Sequence, residues 1–139
     1  MTRLSRRCAH DIRAVDRAAT RIEEQNAILD RELAREPRPE EQMRHLRHAT
    51  GLITRWANDG VQAYRRASGA IKAETERDDS DDAELQRTTA ELQRARSRML
   101  EALAVAGRQY PWADAGAPAP EVPALDSSDG DLAPGAERT

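Results

Sequence analysis

Three stretches of the chain place apolar residues at helical spacing, and this periodicity constrains the fold more than any other feature. The first stripe repeats every seven residues at Cys8, Val15, Ile22 and Leu29, with Leu4, Ile12, Ala19 and Leu33 in the adjoining row. The second comprises Met43, Leu46, Thr50, Ile53, Ala57, Gly60, Tyr64, Ala67 and Ile71, and the third Leu85, Leu92, Met99 and Ala106. Such stripes are typical of helices that bury one face. The sequence therefore predicts an all-α protein with three long, coiled-coil-like helices.

Local signals at the ends of the stripes predict helices at about residues 2–35, 39–76 and 81–107. Pro37 and Pro39 end the first helix and start the second, because a residue that precedes Pro avoids the helical region. Asp81 with Glu84 predicts a capping box for the third helix, and Gly107 predicts its C-cap. Asn58-Asp59-Gly60 is a sequence typical of turns and could break the second helix. The spacing of apolar residues stays in phase across it, however, which favours one continuous helix.

The chain divides into two regions of different composition. Residues 1–112 are expected to form one three-helix domain, and the short loops predict antiparallel neighbours, as an up-down-up bundle or as a helical hairpin with a third helix. Residues 113–139 are rich in Ala, Pro and Gly and carry six acidic residues against one Arg. This composition cannot bury enough apolar surface to order the chain, so it predicts a disordered acidic C-terminal tail.

The predicted core is short of bulk. Hydrophobic residues make up 38% of the chain, but 25 of them are Ala and none is Phe. Burial of small side chains contributes less free energy per residue, so we expect apolar surface to remain for a protein partner or a second copy of the chain. We therefore expect a scaffold, an adaptor or a small regulatory subunit. It would act by helix-on-helix docking with a partner or by self-association as a homo-oligomer.

The four aromatic residues are the candidate partner-binding anchors of such an interface: Trp56, Tyr64, Tyr110 and Trp112. Trp and Tyr are enriched where one protein anchors another. The alternative is that Trp56 and Tyr64 pack into the core, and that Tyr110 and Trp112 fold back against the end of the bundle. Both alternatives remain open at this stage.

The uneven distribution of charge supports an alternative function, nucleic-acid binding by the basic outer faces of the first two helices. The candidate residues are Arg3, Arg7, Arg13, Arg17 and Arg21 in the first helix and Arg55, Arg65 and Arg66 in the second. The acidic tail would then limit non-specific binding. Against this reading, the acidic turn at residues 74–84 is expected beside the start of the first helix, where it would neutralise the basic end within the molecule.

No residue pattern predicts catalysis, so we expect a protein that is not an enzyme and needs no cofactor, metal or small-molecule substrate. His45 and His48 with Glu41 have a spacing that suits a metal, but the heptad phase places them on the solvated side of the helix. Cys8 is expected to be a buried, inert thiol. Asn26 either fixes the helix register or faces a gap in the bundle. No membrane span or signal peptide is expected, and a cytoplasmic location follows.

Overall fold

Three helices make up almost all of the residues that the structure describes. The computed structural model describes residues 3–77 and 79–112, together with Gly116 and Pro120. Helix α1 spans Arg3–Arg35, α2 spans Pro39–Thr75 and α3 spans Asp82–Gln109. The all-α class is thereby confirmed, and α2 runs unbroken through Asn58-Asp59-Gly60. The predicted disordered tail, residues 113–139, lies outside the described residues except for Gly116, which is exposed, and Pro120, which is buried.

Contacts between α1 and α2 show that these helices are antiparallel. Arg3 lies 2.8 Å from Glu74, and near the other end of α1 Glu32 lies 3.3 Å from His45. Between them Asp11 pairs with Arg66 at 3.0 Å. The α2 partners therefore descend in number as the α1 residues ascend.

In the contacts between α1 and α3, the residue numbers of both helices increase together. These two helices are therefore parallel, and the bundle runs up-down-up. The backbone N–H of Ser5 donates to Glu84 at 3.0 Å near one end, and the Tyr110 hydroxyl donates to Asp30 at 2.6 Å near the other. Midway, Arg98 donates to Asp16, Thr20 and Glu23 of α1. Whether residues 1–112 fold as an independent domain stays a prediction.

The apolar stripes close on one another within a single chain. Tyr64, Ile22, Leu29, Ile53 and Met99 are among the large side chains that are completely buried. Within the described ranges, Ile28 is the one large hydrophobic residue classed as exposed, at 36%. The core of this part of the chain is thus closed more completely than its composition led us to expect, although Leu33, Met43 and Leu85 are only partly buried. Small residues explain the difference, because they let the helix axes approach until little volume remains to be filled. Whether a partner or a second copy covers the remaining apolar surface stays a prediction.

Gly60 marks the closest approach of this kind. A Cβ atom at this position would overlap the sulfur of Met99 on α3 and would lie 3.1 Å from the Cβ of Ala18 on α1. The glycine thus acts where all three helices meet, and the turn signal around it reflects packing instead of a helix break.

The acidic turn lies beside the start of α1, as its position in an up-down-up bundle predicts. Glu74 is buried and pairs with Arg3. Asp81 caps α3 by accepting from the backbone N–H groups of Ala83 and Glu84, whereas the Glu84 carboxylate crosses to α1 and accepts from Ser5. The predicted capping box is therefore half formed, and the remaining carboxylate caps the neighbouring helix instead.

The end of α3 differs from the prediction. Gly107 is helical and not the C-cap, since the helix continues to Gln109. The Trp112 indole N–H donates to the backbone oxygen of Ala106 at 2.9 Å, which satisfies one of the carbonyl groups that a helix end leaves unpaired. Among the residues that the structure describes, no helix has both the length and the apolar character that crossing a bilayer requires.

Asn26 is buried and its side-chain N–H donates to the backbone oxygen of Ala102 at 3.3 Å. Its backbone oxygen lies 2.9 Å from the Tyr110 hydroxyl. The residue thus joins α1 to α3 through two contacts near the same end of the bundle. The side-chain oxygen, however, is buried with no hydrogen-bond partner among the described residues, so the role in helix register and the gap in the bundle both stay predictions.

Cys8 is fully buried, and burial raises the pKa of its thiol above the usual value. We expect Ellman's reagent to modify native Cys8 at least about a hundredfold more slowly than the denatured chain, because attack requires a thiolate that local opening exposes. The measurement is the rate of absorbance change at pH 8 with and without guanidinium. Equal rates in the two conditions would show that the thiol is accessible in the native protein.

Candidate functional site

Three of the four candidate aromatic anchors lie inside the bundle. Tyr64 is completely buried, and Tyr110 and Trp112 are 8% and 3% exposed. The last two rings meet edge to face at 5.6 Å. Burial, together with the hydrogen bond to Asp30, raises the pKa of the Tyr110 hydroxyl. Of the two alternatives for this pair, the structure shows the one in which it folds back against the bundle, so a partner meets neither ring on the surface.

Trp56 differs from the other three because its ring is only partly buried. It packs against the edge of the core from α2, and the guanidinium of Arg21 on α1 lies over its ring at 5.9 Å from the centroid. A cation at this distance from an indole face is attracted by the ring quadrupole. The indole is thus fixed on one side by the core and bordered on the other by a charged, exposed side chain.

An open groove surrounds this indole where α1 and α2 pack side by side. We call it the Trp56 groove; it encloses about 320 Å³, and its lining consists of Ala14, Arg17, Ala18, Arg21, Arg55, Trp56 and Asp59. Ala14 and Ala18 are one helical turn apart, and their small side chains leave the space that larger residues would fill. Three guanidinium groups against one carboxylate give the groove a net positive charge.

The structure gathers three of the eight candidate arginines in this groove and separates the others. Arg17 and Arg55 are exposed and have no carboxylate partner among the described residues, and Arg21 lies over Trp56. Arg3 and Arg66 are held in ion pairs with Glu74 and Asp11.

The remaining three candidate arginines, Arg7, Arg13 and Arg65, are exposed outside this cluster. Arg13 lines a different cavity, on the α3 side of α1, whose lining also includes Glu91. The two basic faces therefore do not form one continuous track of unpaired cations.

The two histidines whose spacing suggested a metal site lie in different surroundings. His45 lies 3.3 Å from Glu32, and His48 is exposed. In the described part of the chain, no group of three His, Cys, Asp or Glu side chains is placed to hold a metal ion.

Sequence reasoning identified Arg17, Arg21, Arg55 and Trp56 one by one but not as a group. It also passed over Ala14, Ala18 and Asp59, which line the same groove. The missing information is the pairing of α1 with α2. The only sequence signal that points to it is the pair of alanines interleaved with arginines in the segment Arg13 to Arg21.

The groove has the composition of a binding surface. Trp and Arg are the side chains over-represented at the centres of protein interfaces, where a flat apolar ring and forked donors bind a partner together. Guanidinium groups donate paired hydrogen bonds to carboxylates. Comparison with family models, with curated proteins and with solved structures finds no match to this chain.

Proposed function

We propose that this protein is a non-catalytic interaction protein, and that its Trp56 groove docks an acidic segment of a partner protein. The observation that carries the proposal is the convergence of three exposed arginines on one partly buried indole. Arg17 and Arg55 have no described carboxylate partner, so docking there breaks no ion pair within the described chain. The partner would lay carboxylates over the guanidinium groups and an apolar side chain against the indole and the two alanines.

The proposed docking differs from the docking through the apolar helix stripes that the sequence predicted. Because the stripes are closed, specificity would come from charge and from one aromatic anchor. The same observation counts against self-association through a broad apolar interface. We also propose a cytoplasmic location. The chain has one cysteine and therefore no internal disulfide, which fits a reducing compartment.

A protein partner is favoured over nucleic acid by the shape of the cluster. Non-specific binding to a phosphate backbone depends on many cations that neutralise successive phosphates. Here Arg3 and Arg66 are already neutralised, and Arg13 lines a different cavity on another side of α1. What remains is a compact patch with a carboxylate, Asp59, within it.

The test is calorimetric titration of the full chain with a designed helical peptide that carries Glu at positions i and i+4 and Leu at i+3. A peptide with Gln in place of Glu is the control, and a DNA duplex is the third ligand. Loss of two charge-assisted contacts in Arg17→Gln with Arg55→Gln is expected to weaken binding at least about tenfold, since each contact contributes about 1.5–3 kcal/mol. Asp59→Asn is expected to strengthen binding.

The matched control is Arg13→Gln with Arg87→Gln, which makes the same change in net charge at exposed positions outside the groove. Equal weakening by the two double variants would mean that only net charge matters and would contradict a defined groove. Tighter binding of the duplex than of the peptide, with Arg13 required, would instead establish the nucleic-acid function.

A further inference from the structure

We infer that residues 113–139 of this same chain occupy the Trp56 groove when no partner is bound, so that partner and segment compete for one site. The inference rests on the proposed function, because it assigns to the groove an acidic ligand within the molecule. It is carried by charge complementarity and by the place where α3 ends.

The charges of the two elements are opposite. The segment carries Asp114, Glu121, Asp126, Asp129, Asp131 and Glu137 against the single Arg138. The groove presents Arg17, Arg21 and Arg55 against Asp59. Two other candidate arginines are already neutralised, in the pairs Arg3–Glu74 and Arg66–Asp11. The Trp56 groove is therefore a basic surface that can accept these carboxylates without displacing such a pair.

The segment starts close enough to reach the groove. Tyr110 contacts Asp30 of α1, and from Asp30 to Arg21 is nine residues, or about 14 Å of helix. Passing around α1, whose diameter is about 10–12 Å, lengthens the path to roughly 25 Å. The nine residues from Trp112 to Glu121 extend to about 30 Å. The chain from Trp112 to Glu121 is therefore long enough to span the distance to the groove at Arg21.

An attached ligand of this kind acts at high effective concentration, in the millimolar range for a flexible connection of moderate length. It therefore lowers the apparent affinity of a free partner that uses the same arginines. Because the contact is electrostatic and exposed, added salt weakens it. The segment would thus exclude weakly acidic partners and yield to those that also fill the space beside Trp56.

The test is paramagnetic broadening in the full-length chain. A nitroxide is attached to the variant Ser128→Cys, for which the burial of Cys8 leaves the new thiol as the reactive one. At low ionic strength the Trp56 indole N–H signal is expected to broaden, while the backbone amide of Gly69, on a distant part of α2, stays sharp. High salt, or replacement of the six acidic residues by their amides, is expected to restore the Trp56 signal.

Two double variants show whether the contact is specific. Arg17→Gln with Arg55→Gln is expected to abolish the broadening, and Arg13→Gln with Arg87→Gln is expected to leave it. A sharp Trp56 signal at low salt, or equal effects of the two double variants, would overturn the inference.

Titration with the acidic peptide separates this inference from the proposed function. The chain with the six neutralised residues is expected to bind the peptide about tenfold more tightly than the unmodified chain. Equal affinities with no broadening would overturn the inference and leave the proposed function standing. Broadening with no peptide binding to either chain would uphold the intramolecular contact and overturn the proposed partner.

Discussion

Replacement of Gly60 by Leu is expected to lower the free energy of unfolding by about 3 kcal/mol or more, the upper range for overpacking a filled core. A single Cβ at this position already overlaps the Met99 sulfur and approaches Ala18, so a Leu side chain would force α1 and α3 away from α2. The flexible end of Met99 can move aside for a single Cβ, but Met99 is completely buried, so making room for a whole Leu side chain displaces other core atoms. Urea denaturation followed by far-ultraviolet circular dichroism measures the loss.

The matched control is Gly69→Leu in the same helix. No atom lies within 4 Å of a Cβ built at Gly69, so the substitution is expected to stabilise α2 by about 0.5–1 kcal/mol through helix propensity. Similar changes at the two glycines would show that Gly60 is not at a close contact between helices. The close packing derived above would then be incorrect.

Replacement of Trp112 by Ala is expected to cost about 3–5 kcal/mol, the range observed when a buried Phe or Trp is truncated. Trp112 is 3% exposed, contacts Tyr110 edge to face and closes the end of α3 through its hydrogen bond to Ala106. The variant would lose both the packing of the ring and the satisfied carbonyl group. Thermal and urea denaturation provide the comparison with the unmodified chain.

Trp56→Ala is the control for this substitution, because it removes the same side chain from a partly buried position. We expect less than half the loss of stability at Trp112 and a clear loss of binding to the acidic peptide. The opposite order of stabilities would mean that Trp112 does not pack against the bundle. It would also assign the exposed aromatic anchor to the end of α3 and not to the groove.

The role of alanine shows where composition alone misleads. A count of large apolar side chains indicated a core with too little volume and therefore a surface left over for association. In the folded chain Ala19, Ala49, Ala63, Ala67 and Ala106 are completely buried, and the close approach of the three helices is seen at Gly60. Volume is a property of the space between helices as well as of the side chains, and the distance between helices is not visible in composition.

The sequence by itself determined the number of helices, most of their ends and the continuity of α2, because these depend on residues within a few positions of one another. Apolar spacing, the prolines at 37 and 39 and the cap at Asp81 all act over one or two helical turns. The up-down-up order followed from the short loops. Even the acidic turn beside α1 was predictable once that order was assumed.

Only the tertiary structure decided how close the helices lie and which distant side chains meet. Arg21 and Trp56 are 35 positions apart, and their contact depends on the register between α1 and α2. That register is set by packing at Gly60, Ala18 and Met99, which belong to three different helices. A shift of α1 along α2 by one helical turn would leave every apolar stripe facing the core, but it would separate the residues that line the Trp56 groove. Local patterns repeat at each turn, whereas the fit between the helices does not.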